Sequence, residues 1–450
     1  MMAFVITTHQ QSYVEEGRTR MTAVLELTNT SEHATGTTAP RVSLIMGDTS
    51  GSMAGPKIIA LRHAMQAAVD VLPEDTEFAL CTFSSGARRL FPRSSQREPH
   101  APDVVRATPE NKQRAHAAIQ DLQEGGGTVM AAAVALAQQI ALSRPQSLIH
   151  CLFLTDGKNE SSTEDLVREV TRATGTFQCE VRIVGDGAHV DYMRTHVATP
   201  LLGQVKVIRN VADLAEEFRV TIRMAQEKTL GHVHLALRTP RTAKIVTLTE
   251  TVPQKLDLAG ELATDGRTWL FRTAPWAPGE SRDYLLTLEV IPLPGREEAL
   301  ASMTAVGREM QLAVPSLRWH AGGVEQVVEG TPVVMAWTDD ALRSARFDVR
   351  VAHATGQVEV VQARQHAIEA LRQGDYEGAT RHFQRVMDAA LQHGNSAEVE
   401  ETTRALKRIG VEVHEEGATR TIRVQRQVTK IDLDDFDARS TVTKRFGARR

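Results

Sequence analysis

The sequence is poor in cysteine, in aromatic side chains and in long apolar runs. Its three cysteines, Cys81, Cys151 and Cys179, are odd in number and widely spaced within apolar runs that read as buried strands. They argue against a disulfide framework and for packed thiols. No stretch approaches the roughly 18 apolar residues that span a bilayer. The opening MMAFVITTHQQSYVEEGR lacks a basic start followed by an apolar core, so the expectation is a cytoplasmic protein with no membrane partner. Charge of one sign is missing as well. The 52 Lys and Arg against 56 Asp and Glu leave a formal charge of −4, which gives no general pull toward nucleic acid or anionic lipid.

What is present is ordinary for a soluble globular chain, with 42% hydrophobic and 24% charged residues in 450. That length predicts about two to four domains. Residues 41–227 alternate short apolar runs with longer helical patterns. Strands are predicted at RVSLIMG, EFALCTF, ARRLF, SLIHCLFLT, CEVRIVG and QVKVIR. Helices are predicted at PKIIALRHAMQAAVDVL, PENKQRAHAAIQDL, VMAAAVALAQQIAL, STEDLVREVTRAT and VADLAEEFRVTIRMAQ. This is the signature of an α/β doubly wound, Rossmann-like domain, a mostly parallel sheet covered by helices on both faces.

Over 229–352 the texture becomes period-two alternation broken by Pro and Gly, and all four tryptophans (Trp269, Trp276, Trp319, Trp337) fall there. An antiparallel β-sandwich domain is expected. Residues 1–40 share this texture and are expected to pair with the sandwich, making the α/β domain an insertion. Residues 355–410 return to helical periodicity and read as a C-terminal helical hairpin, with a tetratricopeptide-like pattern around Ala370, Gly374, Asp375, Tyr376 and Ala379. Residues 411–450, polar and charged, are expected to form a flexible tail.

The chemistry concentrates at Asp48-Thr49-Ser50-Gly51-Ser52-Met53, which follows a predicted strand and precedes a helix. The oxygen side chains of Asp48, Ser50 and Ser52 thus stand at a strand's carboxyl end, the edge where open α/β sheets bind ligands. On these residues alone, Asp48, Ser50 and Ser52 could equally cap the helix and shape a turn. Gly125-Gly126-Gly127-Thr128 opens a later helix, and Leu152-Phe153-Leu154-Thr155-Asp156-Gly157 ends a later strand. Carboxylate and hydroxyl oxygens are hard ligands, suited to Mg²⁺, Mn²⁺ or Ca²⁺ rather than Zn²⁺ or Cu²⁺.

The run Asp48-x-Ser50-x-Ser52, with Thr128 and Asp156 following in order, resembles the metal-ion-dependent adhesion site of the von Willebrand factor A family, in its bacterial intracellular form. The resemblance covers about residues 41–227. It implies a metal site built from Asp48, Ser50, Ser52, Thr128 and Asp156, some ligating directly and others through water. The ion, Mg²⁺ foremost, keeps one position open for an Asp or Glu of a partner protein. It implies a protein-interaction scaffold and no enzymatic role.

The glycines before Thr128 are not followed by the Gly-Lys-Ser/Thr of a nucleotide-binding loop. A hydrolase would need a general base or a second metal, and His63 on the first helix is the nearest candidate. His232 and His234, two apart on a predicted strand, would share a face but lack a third ligand. Asp432, Asp434, Asp435 and Asp437 lack the Gly and closing Glu of a calcium loop. Thr419, Thr421, Thr441 and Thr443 lie beside charges in the expected tail, where phosphorylation would make a docking epitope. The overall arrangement resembles bacterial proteins of this family that accompany Ser/Thr kinases, phosphatases and forkhead-associated domains, so such proteins are the partners expected through the tail. A different expectation is a regulatory subunit of an ATP-driven, chelatase-like or AAA+ machine, with the ATPase on a separate chain since no Walker motif is present.

Overall fold

The computed structural model describes residues 4–31, 39–93, 102–185, 187–321, 324–344, 348–392, 411–416 and 419–423, with the single positions 399, 403, 406 and 407. The chain divides into two compact units. One comprises residues 1–32, 233–273 and 279–450, the other residues 33–232 and 274–278.

The chain opens with β1 (Phe4–Gln10), β2 (Tyr13–Glu15) and β3 (Arg20–Asn29), then builds the second unit. That unit runs β4 (Arg41–Asp48), a 3₁₀ turn at Gly51–Met53, α1 (Pro56–Asp70), β5 (Glu77–Phe83), β6 (Ala87–Phe91) and β7 (Val105–Arg106). It continues with α2 (Pro109–Gln120), α3 (Met130–Leu142), β8 (Leu148–Thr155), α4 (Thr163–Ala173), β9 (Gln178–Val184), α5 (Val190–Met193), β10 (Val205–Ile208) and α6 (Leu214–Gln226). Its sheet has the order β10-β9-β8-β4-β5-β6, with β7 beside β5. All neighbours are parallel except β6 and β7, which run antiparallel to β5.

The near-continuous apolar runs of β4 and β8 place them at the centre, where both faces are covered and almost every residue is buried. On one face Leu61, Met65 and Val69 of α1, Ile119 of α2 and Phe218 and Ile222 of α6 pack against Ile45, Leu80 and Leu152. The helix α1 starts with Pro56, whose missing N–H costs nothing in a first turn. It sits close to the sheet because Gly47 has no side chain: a Cβ there would lie 2.9 Å from Leu61 Cδ1. The strand following β4 lies on one side of it, whereas β8 lies on the other. The carboxyl ends of β4 and β8 therefore flank the topological switch point, where crevices form in such sheets.

The remaining strands and helices belong to the other unit. They are β11 (His234–Arg238), β12 (Ala243–Val252), β13 (Leu256–Asp257), β14 (Gly260–Leu262), β15 (Thr268–Arg272), β16 (Ser281–Val290), α7 (Ala299–Met303), β17 (Glu309–Ala321), β18 (Val324–Glu329) and β19 (Val333–Thr338). After them come α8 (Ala341–Ser344), α9 (Val349–Arg372), α10 (Tyr376–Gln392), β20 (Glu412–Glu416) and β21 (Thr419–Arg423). One sheet has the order β1-β3-β16-β12-β13; the other is β14-β15-β11-β17-β19-β2, with β18 beside β17. Thus β3 pairs antiparallel with β16, Leu25 opposite Tyr284. Phe4 of β1 meets Trp319 of β17 edge-on at 5.1 Å.

Four particulars differ from the sequence reading. Residues 411–423, expected within a flexible tail, carry the β20–β21 pair, because Val411 and Ile422 bury themselves in the core that Ile368, Leu371, Phe383 and Met387 form between α9 and α10. The helix α9 begins at Val349, ahead of the expected 355, since Asp348 caps it by accepting from the N–H groups of Arg350 and Val351. Trp276, grouped by texture with the β-rich segment, is fully buried in the α/β unit, its N–H donating to the Leu230 carbonyl at 2.7 Å. His232, at φ 53, precedes β11, which starts at His234, so the two imidazoles do not share a strand face.

Candidate metal centre

Three loops meet at the carboxyl edge of β4 and β8. The first is the turn after Asp48, the second runs from Gly125 to the start of α3, and the third follows Thr155. Asp48, with no exposed surface, is held at both carboxylate oxygens: Oδ1 accepts from the Ser50 N–H at 2.8 Å and Oδ2 from the Thr155 hydroxyl at 2.7 Å. The first and second loops are joined by Gly51 N–H to the Gly126 carbonyl (2.9 Å) and Gly125 N–H to the Thr49 carbonyl (2.8 Å). Glycine suits position 126 because its φ is 80°. The second and third loops are joined by Glu160 N–H to the Thr128 carbonyl (2.7 Å) and by Met130 N–H to Asn159 Oδ1 (3.3 Å).

The structure brings Asp48, Ser50, Ser52 and Asp156 together and fixes Thr128 beside them through its backbone. Ser50 Oγ and Ser52 Oγ lie 3.1 Å apart. Ser50 stands at the cap position of the 3₁₀ turn and Gly55 at that of α1, and neither gives a side-chain cap bond. The capping role that the sequence left open for the serines is therefore not what their hydroxyls do. Asp48, Ser50, Thr128 and Asp156 are buried, whereas Ser52 is half-buried and Gly51 exposed, so the cluster opens to solvent on the side of the 3₁₀ turn.

The two carboxylates differ electrostatically. Burial raises the Asp48 carboxyl above its ordinary range; the Ser50 and Thr155 bonds oppose this, while the charge of Asp156 adds to it. Burial pushes Asp156 the same way, but there the Ser52 hydroxyl, the Lys158 N–H and the charges of Lys57 and Lys158 prevail and hold the carboxyl below its usual value.

Two carboxylates and three hydroxyls form an all-oxygen donor set, and among the described residues no three His, Cys, Asp or Glu side chains gather as they would for a softer metal. The set fits one hard divalent cation with few charged ligands. Beside it a cleft of about 410 Å³ is lined by Thr49, Ser84, Arg88, Gln123, Glu124 and Gly125 among others; it touches the same loops, but none of the five expected metal residues lines it.

Thr155, Lys57 and Asn159 were not singled out in the sequence. Thr155 stood inside the quoted Thr-Asp-Gly run, and its position one residue before Asp156 on a strand was the available signal. His63 is exposed on α1. All three cysteines are buried and unbridged, and burial pushes the Cys81 thiol up to about 12. Thr419 and Thr421 lie on β21, paired with Glu416 and His414. Thr441, Thr443 and the aspartates at 432, 434, 435 and 437 lie outside the described residues.

Residues 43–198, most of this α/β unit, match the model of the von Willebrand factor type A domain family. The α/β unit is such a domain. Over the whole chain the fold is similar to that of a von Willebrand factor type A protein from Catenulispora acidiphila, with 29% identity, a TM-score of 0.85 and coverage of 99% of this chain and 97% of that one. It also resembles the ArnB paralog from Sulfolobus acidocaldarius, at 13% identity and a TM-score of 0.57, covering 98% of each chain, a likeness of fold alone. An uncharacterised protein of Synechocystis sp. is 23% identical over 216 residues, 47% of this chain and 48% of that protein. An inter-alpha-trypsin inhibitor heavy chain of Homo sapiens is 30% identical over 169 residues, 35% of this chain and 17% of that one. The matches thus span about half, or less, of these curated relatives' lengths. Among the described residues no helix is long and apolar enough to cross a membrane.

Proposed function

We propose that this chain is a metal-dependent protein-interaction scaffold. Asp48, Ser50, Ser52, Thr128 and Asp156 hold one divalent cation, Mg²⁺ foremost and Mn²⁺ or Ca²⁺ as substitutes, and the ion offers its remaining position to an Asp or Glu of a partner protein. The observation that carries this reading is the placement of Ser50 Oγ and Ser52 Oγ 3.1 Å apart, Ser50 buried and Ser52 half-buried on the open side, neither hydroxyl capping a helix, with two carboxylates in the same cluster. Hydroxyls released from capping and turned toward one another are what a hard ion needs.

The rest of the chain supports the docking site. The other unit's two sheets, antiparallel except where β19 meets β2, form a sandwich and α9 with α10 a helical hairpin, while Thr419, Thr421, Thr441 and Thr443 offer phosphorylation sites to kinase and forkhead-associated partners. The residues themselves perform no bond-breaking step: they bind, orient and desolvate the ion.

Calorimetric titration of the full chain with MgCl₂ tests the reading. Saturable binding at one site is expected, with a loss of at least about tenfold in affinity for Ser50→Ala or Ser52→Ala. Titrations in which wild type takes up no ion, or in which both serine variants match it, would refute the site.

A further inference from the structure

Lys57 has no role in the reading above, yet it reaches into the candidate centre. Its Nζ lies 3.4 Å from Asp156 Oδ2 and donates to the Ser52 carbonyl at 3.2 Å. The Asp156 side chain is only 4% exposed and that of Lys57 31%, so the pair is partly withdrawn from water. The position is an unfavourable one for a cation. Lys57 stands in the first turn of α1, which contains no acidic residue, and there the aligned peptide dipoles repel positive charge. Asp156 supplies the compensation. In the absence of an ion, Asp48 and Asp156 are two neighbouring buried carboxylates, and the ammonium of Lys57 offsets one of them.

We propose that Lys57 is an internal counter-charge that sets the metal affinity of the centre: it stabilises the metal-free state and weakens cation binding, so that occupancy follows the supply of metal and of partner carboxylate. This rests on the metal reading given above. A divalent ion brought to Asp48 and Asp156 meets a fixed positive charge already on the Asp156 carboxylate, and at such separations in a half-buried site the repulsion is worth at least about a fivefold change in affinity. With the ion in place, the same charge makes the centre more positive than two carboxylates alone would leave it, which favours an anionic ligand over a neutral one.

Mn²⁺ binding to the full-length chain, followed by the electron paramagnetic resonance of free Mn²⁺ near neutral pH, tests the proposal. Lys57→Met is expected to bind Mn²⁺ at least about fivefold more tightly than wild type, while the melting temperature of the metal-free protein falls. Lys57→Arg keeps the charge and is expected to stay near wild type. Lys158→Met, which removes a more exposed charge, is expected to change the affinity less than about twofold. A purely structural lysine would lower stability without tightening metal binding. Equal or weaker Mn²⁺ binding by a folded Lys57→Met overturns the proposal and leaves the metal reading standing; Lys57→Gln replaces it if the Met variant does not fold. An affinity gain shared by Lys57→Arg also overturns it, since charge would not be the cause. No saturable Mn²⁺ binding by wild type overturns the metal reading itself.

Discussion

Thr155 shows how much of this centre depends on a residue that need not touch an ion. Its hydroxyl donates to Asp48 Oδ2 at 2.7 Å and accepts from the Gly157 N–H at 3.0 Å, joining β4 to the loop after β8. Thr155→Val keeps the shape but leaves a buried carboxylate oxygen and an N–H without this partner, and each such loss costs about 1–3 kcal/mol. Urea denaturation should show a loss of about 2 kcal/mol or more, and Thr155→Ser should restore most of it; an unchanged midpoint in the valine variant would show that water replaces the hydroxyl. At this scale the sequence points to the candidate residues and is silent about what supports them. Asp48, Ser50, Ser52, Thr128 and Asp156 stand in a motif whose order can be read along the chain. The bond from Thr155 to Asp48 and the reach of Lys57 to Asp156 depend on which strands become neighbours, and local sequence does not encode that.

The elements of the α/β unit followed from pattern: β4 and β8 are long apolar runs, and α1 and α3 are rich in alanine. Short pairings such as β7, β13 and β14, two or three residues long, carry no periodicity to read. The β20–β21 pair was hidden for another reason, because its apolar positions make sense only against α9 and α10. One central strand also carries a titratable group. His150 of β8 is buried, its Nδ1 has no hydrogen-bond partner, and burial, with the charge of Arg182, lowers its pKa from 6.5 to about 3. The unfolded chain takes up this proton below pH 6.5 while the folded unit does not, so the stability His150 permits is complete above pH 6.5 and is lost as pH falls toward 3. The slope is at most about 1.4 kcal/mol per pH unit. Urea midpoints taken from neutral pH down to about pH 5 should fall more steeply for wild type than for His150→Gln. Parallel slopes would mean that His150 is protonated in the folded chain.

At the scale of the molecule, the unit built on the two mainly antiparallel sheets draws β1, β2 and β3 from one end of the chain and its other strands from beyond residue 232, with the α/β unit between them in sequence. The flanking segments share an alternating texture and fall in one unit, whereas Trp276 lies in the other, a placement hidden in the sequence because a lone tryptophan between Pro275 and Ala277 has no period to read. A chain lacking residues 1–31 would leave β16 without β3 along its whole length. Calorimetry should then show the loss of that unit's unfolding transition, with aggregation through the bare strand edge, while the α/β unit still melts as a unit; two intact transitions in the shortened chain would contradict this. The pairing of Leu25 with Tyr284 also sets an order of events on the ribosome. At roughly 5–20 residues per second, the first strands wait on the order of ten seconds or more for their neighbour to be synthesised. During that interval the intervening domain can close around its own sheet, leaving a sticky amino-terminal ribbon for a chaperone to guard.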